Sequence, residues 1–259
     1  MQEPLVQHAE GGMMVAASTL RRHGTIKPSG RGVVLRAFDA AARGGRTIFP
    51  TRVFDADEVK RALKSGHQSR KIGATVTKGP RKGWPIFTLT LEERATCPRS
   101  CQHWLDCYGN NMQAAERMVG GRELEAMIEA ELRIIDEAHP EGFLVRLHVL
   151  GDFYSVEYVE FWQRMLEELP ALHVFGFTAH DPASAIGRAA SLVAFDCGWE
   201  RFALRFSGAP HALRAARVVE PGQRDPDAVM CPAQSCATDC CATCGLCWQS
   251  ERSIAFGRH

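Results

Sequence analysis

The chain has 259 residues, of which 45% are hydrophobic, and a formal net charge of +1. This length can bury a sizeable core, as one large domain or as one domain with an appendage. A run of about eighteen apolar residues, and a basic start followed by an apolar block, are both missing, which argues against a membrane span and a signal peptide. We therefore expect a cytoplasmic protein, whose ten cysteines are metal ligands or redox groups rather than disulfides.

The N-terminal part of the chain is the least regular. Residues 1–58, rich in Gly, Ala and Arg, predict an irregular extension with one short helix. A second short helix is expected in DADEVKRALKSG, with Asp55 as its N-cap and Gly66 as its end.

A basic block follows. Lys60–Lys82 holds eight cations, and no acidic residue occurs between Val59 and Leu91, whereas the chain from Glu92 onward has 15 Arg, no Lys and 24 acidic residues. Such a block suits the phosphates of nucleic acid or of a nucleotide-like ligand, and a solvated surface is the other interpretation.

From residue 84 the pattern alternates between strands and helices. Four strands are predicted, in PIFTLTL, FLVRLHVL, LHVFGFT and RFALRFS. Three helices lie between them, in ELEAMIEAELRIIDEA, in SVEYVEFWQRMLEEL with Ser155 as N-cap, and in DPASAIGRAASLV with Asp181 as N-cap. This alternation predicts an α/β fold with parallel strands and outer helices, in the form of a barrel or partial (β/α) barrel. We divide the chain into the extension 1–58, the partial barrel 59–220 and a cysteine-rich C-terminal segment 221–259.

Polar side chains recur at a period of two on these strands. Because side chains of a strand alternate between its faces, each of the following pairs is expected to share a face: Thr88 with Thr90, Arg146 with His148, Thr178 with His180, and Arg205 with Ser207. Such positions are usually apolar in a parallel sheet covered on both sides, so the pairs favour an enclosed polar lumen. A satisfied buried network is the alternative.

The first cysteine group, CPRSCQHWLDCYGN, directly follows the first strand of the β/α series. Cys97, Cys101 and Cys107, here the N-terminal trio, have the spacing C-x3-C-x5-C. Three thiolates on a four-iron cube leave one iron open to a substrate or cofactor, and the carboxyl end of a strand is where such folds build sites. A zinc site completed by His103, or by a cysteine from the C-terminal segment, is the alternative.

The second group lies in CPAQSCATDCCATCGLCW. Cys241, Cys244 and Cys247 have the spacing C-x2-C-x2-C, and Cys231, followed by proline, supplies a remote fourth thiolate. This C-terminal quartet is typical of a 4Fe–4S cluster, with zinc as the alternative. Cys240 adjoins Cys241, so we do not expect both to bind one cluster. The chain is thus expected to hold one or two clusters.

Three separated blocks, GWPIFTLTLEERATCPRSCQHWLDCYGNNM, VRLHVLGDFYSVEYVEFW and CATCGLCW, resemble the phage-associated gene-product-88 family over residues 68–250. More distantly, the arrangement is similar to the radical S-adenosylmethionine (SAM) superfamily, which has a partial β/α barrel and a three-cysteine loop after its first strand. The second strand there ends in a Gly-Gly-Glu-like motif that holds the amino group of SAM. The resemblance implies this role for Gly151 and Asp152, although the x5 interval departs from the usual C-x3-C-x2-C.

The same resemblance implies a radical-SAM-like iron–sulfur enzyme for a redox or radical reaction, supplied by an electron donor. A reduced cluster would split SAM into methionine and a 5′-deoxyadenosyl radical, with Arg146 and His148 near its carboxylate or the substrate. The C-terminal cluster would be an auxiliary electron carrier or a structural clamp. One alternative is a zinc-stabilised protein that binds nucleic acid through Lys60–Lys82. The other is an iron–sulfur protein with a redox-sensing or structural cluster. No residue is assigned to catalysis.

Overall fold

The computed structural model describes residues 32–209, 214–220 and 222–258. Residues 1–31 of the predicted extension therefore lie outside the described residues. Ten strands occur in the described ranges: β1 (Val53–Phe54), β2 (Lys64–Ser65), β3 (Ile86–Thr88), β4 (Arg117–Met118), β5 (Phe143–Leu147), β6 (Leu172–Thr178), β7 (Phe202–Ser207), β8 (Ala215–Val219), β9 (Ala228–Met230) and β10 (Ser253–Gly257). Their α-helices are α1 (Ala40–Gly44), α2 (Arg122–Ala138), α3 (Val156–Glu168), α4 (Ala185–Asp196), α5 (Gly198–Arg201), α6 (Cys241–Cys244) and α7 (Leu246–Gln249).

A large, mostly parallel sheet organises the fold. Its eight strands within the described ranges have the order β2-β3-β5-β6-β7-β8-β10-β9. Only β2 runs antiparallel to its neighbour, and β1 and β4 form a separate parallel pair. Strands β2 and β9 stand at the two edges, so the sheet is open and no closed barrel forms. The predicted α/β class is confirmed at this level.

Different parts of the chain cover the two faces of the sheet. Helices α2 and α3 cover one face, where buried side chains of both helices pack with Phe143, Val145 and Leu147 of β5. The stripe of Leu124, Ile128 and Leu132 on α2, at spacings of four, provides the apolar side of that helix. On the other face, Leu144 and Phe175 pack against Trp248 and Ala242 of the cysteine-rich segment. That segment therefore completes the core on the face that the two long helices leave uncovered.

Helices α3 and α4 each begin at a serine whose side chain caps the helix. Helix α3 begins after Ser155 as predicted, since the Ser155 hydroxyl accepts a hydrogen bond from Tyr158 N at 3.1 Å. The predicted N-cap of α4 is wrong, because Ser184 caps this helix by accepting from Gly187 N at 3.0 Å. Asp181 instead accepts from Ala183 N at 2.7 Å, in the turn before the helix.

The helix predicted in DADEVKRALKSG is also wrong. Asp55 does cap a turn, but this turn is a single 3-10 turn, Ala56–Glu58. The backbone N–H groups of Ala62 and Leu63 donate to the Glu131 carboxylate on α2, at 2.7 and 2.8 Å. The chain then extends into β2, because α2 satisfies the donors that a local helix would otherwise have satisfied.

The polar positions expected to face one lumen are divided between the two faces of the sheet. In the strand register, Thr88 pairs with Arg146, and Phe177 pairs with Arg205. Thr88, Arg146 and Arg205 therefore lie on the face covered by the cysteine-rich segment. Thr178 pairs with Phe206 on the helix-covered face. Strand β5 ends at Leu147, so the alternation does not reach His148. No helix of the described ranges is long and apolar enough to cross a bilayer.

Candidate metal centres

The N-terminal trio lies in the loop that follows β3, at the carboxyl edge of the sheet. This loop is fixed to the loop after β5, since Leu91 N donates to Leu150 O at 3.0 Å and Asp152 N donates to the Thr96 hydroxyl at 3.1 Å. In parallel sheets the loops after successive strands meet at one edge, which is where binding sites are built. The trio therefore lies at the carboxyl edge of the sheet, as its position directly after a strand predicts.

Gly151 and Asp152 shape this edge. Gly151 has φ +80°, and a Cβ there would lie 2.6 Å from both Leu91 Cβ and the Thr96 hydroxyl, so glycine is required for the close approach. The buried Asp152 carboxylate accepts hydrogen bonds from Phe153 N at 2.8 Å and Ala179 N at 2.6 Å. Burial raises the pKa of Asp152, while His180 and these donors lower it. The backbone thereby holds one carboxylate at the edge between β5 and β6.

All three thiols of the trio are free and partly buried. Backbone N–H groups two residues further on, at His103 and Gly109, donate to Cys101 and Cys107 and stabilise their thiolates. Burial nevertheless raises the pKa of Cys107 to about 11. Asp152 raises the pKa of Cys97 after the larger effect of burial. The trio and Asp152 therefore share one electrostatic neighbourhood.

A buried ionic network, which sequence reasoning missed, supports this loop. Arg117 Nε donates to Glu93 at 2.6 Å, and these side chains are 0% and 1% exposed. The Thr47 hydroxyl also donates to Glu93, at 2.7 Å, and Arg94 donates to Trp104 O at 3.0 Å and to Asn110. The available signal was the run of charges in LEER, directly between an apolar strand and the first cysteine.

The C-terminal quartet surrounds one small cavity. Cys231, Cys241, Cys244 and Cys247 line it together with the apolar side chains of Pro232, Ala233, Leu246 and Ile254. Cys240 lies outside the lining, within 3.6 Å of the Thr243 hydroxyl and packed in the core, and Cys236 is exposed. The structure therefore brings together the four cysteines of the predicted ligand set and separates them from their two neighbours in sequence.

The three cations beside the quartet are Lys71, Arg205 and Arg146. Cys241 N donates to Lys71 O at 2.8 Å, and Arg205 donates to the carbonyls of Ser250 and Arg252 at 2.5 and 2.6 Å, next to the end of α7. The guanidinium of Arg146 lies 4.6 Å from the centre of the Phe177 ring and donates to Leu147 O. Burial, and after it Cys231, raise the pKa of Cys247 to about 11, while Arg205 and Arg146 act in the opposite direction.

The donor atoms of the two cysteine groups can be compared with those of a zinc ion and of an iron–sulfur cluster. Within the described ranges, no three His, Cys, Asp or Glu side chains are placed as ligands of one metal ion. Each thiolate of a four-iron cube binds a different iron, so the sulfurs stand farther apart than the ligands of one zinc ion. The quartet's cavity has only thiols as donors and no His, Asp or Glu in its lining. At the trio, His103 Nδ1 is bonded to Asp106 at 3.1 Å. Thiol donors of this kind suit an iron–sulfur cluster and also a structural zinc ion.

Arg146 and His148 do not share a face, and the prediction that they do is wrong. His148 Nε2 lies 3.1 Å from the Tyr158 hydroxyl, and its ring packs against Phe153 in the core beneath α3. Burial, with a smaller contribution from Arg146, lowers the pKa of His148 to about 3. Arg146 lies on the other face, where it interacts with Tyr108, Cys247 and Cys241. It therefore stands between the two cysteine groups, and His148 does not.

The basic block holds the quartet's segment through its backbone. Ala242 N donates to Ile72 O at 2.8 Å and Thr77 N donates to Ala242 O at 3.1 Å. Lys64 pairs with Glu116, and Arg81 donates to Glu200 O at 2.7 Å. The exposed cations of the block are Lys60, Arg61, Arg70, Lys78 and Lys82. Part of the block is therefore engaged inside the fold rather than offered to phosphate.

The chain is similar to known proteins over much of its length. The sequence model of the gene product 88 family matches residues 60–239, a range that contains the trio and Cys231 and ends before Cys241. The "Gene 88 protein" of Mycobacterium phage L5 is 29% identical over 135 residues, which cover 44% of this chain and 54% of the relative. The chain thus spans about half the length of that relative. No solved structure matches.

Proposed function

The chain belongs to the gene product 88 family, and we propose that it is an iron–sulfur protein with one 4Fe–4S cluster on the C-terminal quartet and a second on the N-terminal trio. The observation that carries the proposal is the sorting of six neighbouring cysteines. Four of them line one apolar cavity, and Cys236 and Cys240 do not. Thiolate-only ligation in this C-x2-C-x2-C pattern favours iron–sulfur over zinc.

The trio has a different part in the proposal. Three thiolates leave one iron of a cube without a protein ligand, and this iron would face the carboxyl edge of the open sheet. In this proposal the open, mostly parallel sheet is a partial barrel of the radical SAM type, and SAM is the ligand at this edge. Gly151 allows the close approach of the chain there, and the Asp152 carboxylate is the proposed acceptor for the ammonium group of SAM. When bound, the clusters supply one-electron chemistry, which the protein positions and shields from water.

Metal and sulfide analysis tests the first part. Protein purified without oxygen should show the broad visible absorption of an iron–sulfur cluster and contain both iron and acid-labile sulfide. The variant Cys241→Ala should lose the iron and sulfide of one cluster, and its matched control Cys240→Ala should keep both. Equal iron in the two variants would refute the quartet. Zinc without sulfide would refute the iron–sulfur assignment and favour the zinc-stabilised, nucleic-acid-binding alternative.

Ligand binding tests the second part. Asp152→Asn keeps the size of the side chain but removes its negative charge, so its iron content should be unchanged and its affinity for SAM strongly reduced. Calorimetric titration of SAM into wild-type and variant protein measures this. Equal affinity in both would exclude Asp152 from SAM recognition.

A further inference from the structure

The charges around the quartet are mainly positive. Lys71 adjoins Cys241 through the bond from Cys241 N to Lys71 O at 2.8 Å, and its ammonium group lies 5.6 Å from the Phe256 ring centre. Arg205 is held beside α7 by carbonyls, which do not neutralise its charge. Arg146 likewise donates to a carbonyl, that of Leu147. Each of these three cations therefore keeps its charge available to the quartet.

The charges around the trio nearly cancel. Glu93 lies beside Cys107, but Arg117 pairs with it at 2.6 Å. Asp106 pairs with Arg258 at 3.1 Å. Asp152, whose carboxylate is bonded to backbone N–H groups rather than to a cation, adds a negative charge near Cys97. The buried Arg94 guanidinium, 4.0 Å from Glu93, adds a positive charge near Cys101 and Cys107. The surroundings of the trio are thus close to neutral.

From this asymmetry we infer that the quartet holds the cluster of higher reduction potential, so that a single electron added to the protein resides at the C-terminal group. The inference rests on the proposed function. Adding an electron makes a cluster more negative, so nearby cations favour the reduced state and nearby carboxylates disfavour it. The electron comes from an external one-electron reductant, which is oxidised as the cluster is reduced, and no covalent bond changes.

Ligand number works in the opposite direction and is the smaller effect. Four thiolates give the quartet one more negative charge than the three thiolates of the trio, which lowers its potential. Lys71 and Arg205 supply two positive charges at the quartet, and Arg146, which stands between the two groups, adds a third that the quartet shares with the trio's loop. They lie in a partly buried site, where salt screens charges less than at the surface. The cations therefore outweigh the additional thiolate.

A redox titration of the two clusters separately tests the inference. Cys107→Ala should retain the quartet's cluster and Cys244→Ala should retain the trio's cluster. Midpoint potentials are measured by electron paramagnetic resonance during anaerobic reduction with dithionite. We expect the Cys107→Ala protein to be reduced first, at the more positive potential. Equal midpoints, or the reverse order, would overturn the inference.

A substitution of one cation makes the test independent of the cysteine changes. Lys71→Gln removes one cation and leaves the backbone carbonyl that binds Cys241 N. Its quartet midpoint should shift to more negative values while the trio midpoint stays in place. The matched control Lys60→Gln, at an exposed position, should shift neither. No shift in Lys71→Gln would overturn the role of the cations. Iron-free protein would refute the proposed function itself, a result that the loaded variants distinguish from a wrong order of potentials.

Discussion

Different kinds of interaction hold the two cysteine groups in place. The loop of the trio is held by buried charges, above all by the Glu93–Arg117 pair, whose side chains are 1% and 0% exposed. The segment of the quartet is held by apolar packing, in which the ring of Trp248, 2% exposed, lies with its centre 4.7 Å from the Phe175 ring centre. A buried ion pair adds geometric definition but little net stability, whereas buried apolar area stabilises directly.

This difference assigns separate roles to the two regions. The quartet's segment is part of the core, because it covers the sheet face that α2 and α3 leave open. The trio's loop lies at the rim, where the Glu93–Arg117 pair and the hydrogen bond from Asp152 N to the Thr96 hydroxyl hold it. We therefore expect damage to the quartet's segment to appear mainly in stability, and damage to the trio's network to appear also in the geometry of its site.

Trp248→Ala should have the largest effect. It removes a buried indole and leaves a cavity against Phe175, which costs about 3–5 kcal/mol in the free energy of unfolding. Urea titration followed by circular dichroism measures the loss, and Phe195→Ala, at a position 84% exposed, is the control with little change. A Trp248→Ala protein of wild-type stability would show that the segment is not part of the core.

Glu93→Gln should follow, with a loss of about 3 kcal/mol, because it leaves the buried Arg117 guanidinium without its negative partner. Glu116→Gln is the matched control, since Glu116 pairs with Lys64 and Arg52 at a site where its side chain is 37% exposed. An exposed pair of this kind contributes about 0–1 kcal/mol. Equal losses in the two variants would remove the distinction between buried and exposed charge at the trio.

Much of the fold follows from local patterns. Strand β6 has the predicted bounds and α3 begins after Ser155, because apolar periodicity and a hydroxyl cap act within a few residues. The grouping of Cys231, Cys241, Cys244 and Cys247 around one cavity also agrees with the spacing in the sequence. That they hold a metal, and which one, stays a prediction.

The failures involve distant partners. Ala62 and Leu63 do not continue a helix, because Glu131 on α2 accepts from their N–H groups. Arg117 meets Glu93 across 24 positions, which no local pattern reveals. His148 does not share the face of Arg146 because β5 ends one residue earlier, at Leu147, where no turn residue marks its end. Long-range satisfaction of polar groups, rather than propensity, decided these positions.

His148 predicts a pH dependence on the helix-covered side of the sheet. Its pKa is lowered by burial from 6.5 to about 3, so between these values the unfolded chain binds a proton that the folded chain does not. Its contribution to stability is therefore complete above pH 6.5 and decreases as the pH falls towards 3, by up to about 1.4 kcal/mol per pH unit. Unfolding free energies across this range should have a shallower slope for His148→Gln than for wild type. An unchanged slope would mean that His148 titrates normally, and His67→Gln, at an exposed position, is the control.

The smallest effect is expected where the two regions meet. Arg258, directly after β10, pairs with Asp106 of the trio's loop at 3.1 Å and with Glu220 at 2.8 Å. Arg258 is 46% exposed, so water and salt screen both pairs. Arg258→Gln should leave the midpoint of urea unfolding within error of wild type and should not change the iron content of either cysteine group. A clear loss of stability, or loss of iron from the trio, would show that the end of the chain holds the rim loop in place. The absence of such an effect would mean that the core segment and the rim loop respond independently, as their different means of support predict.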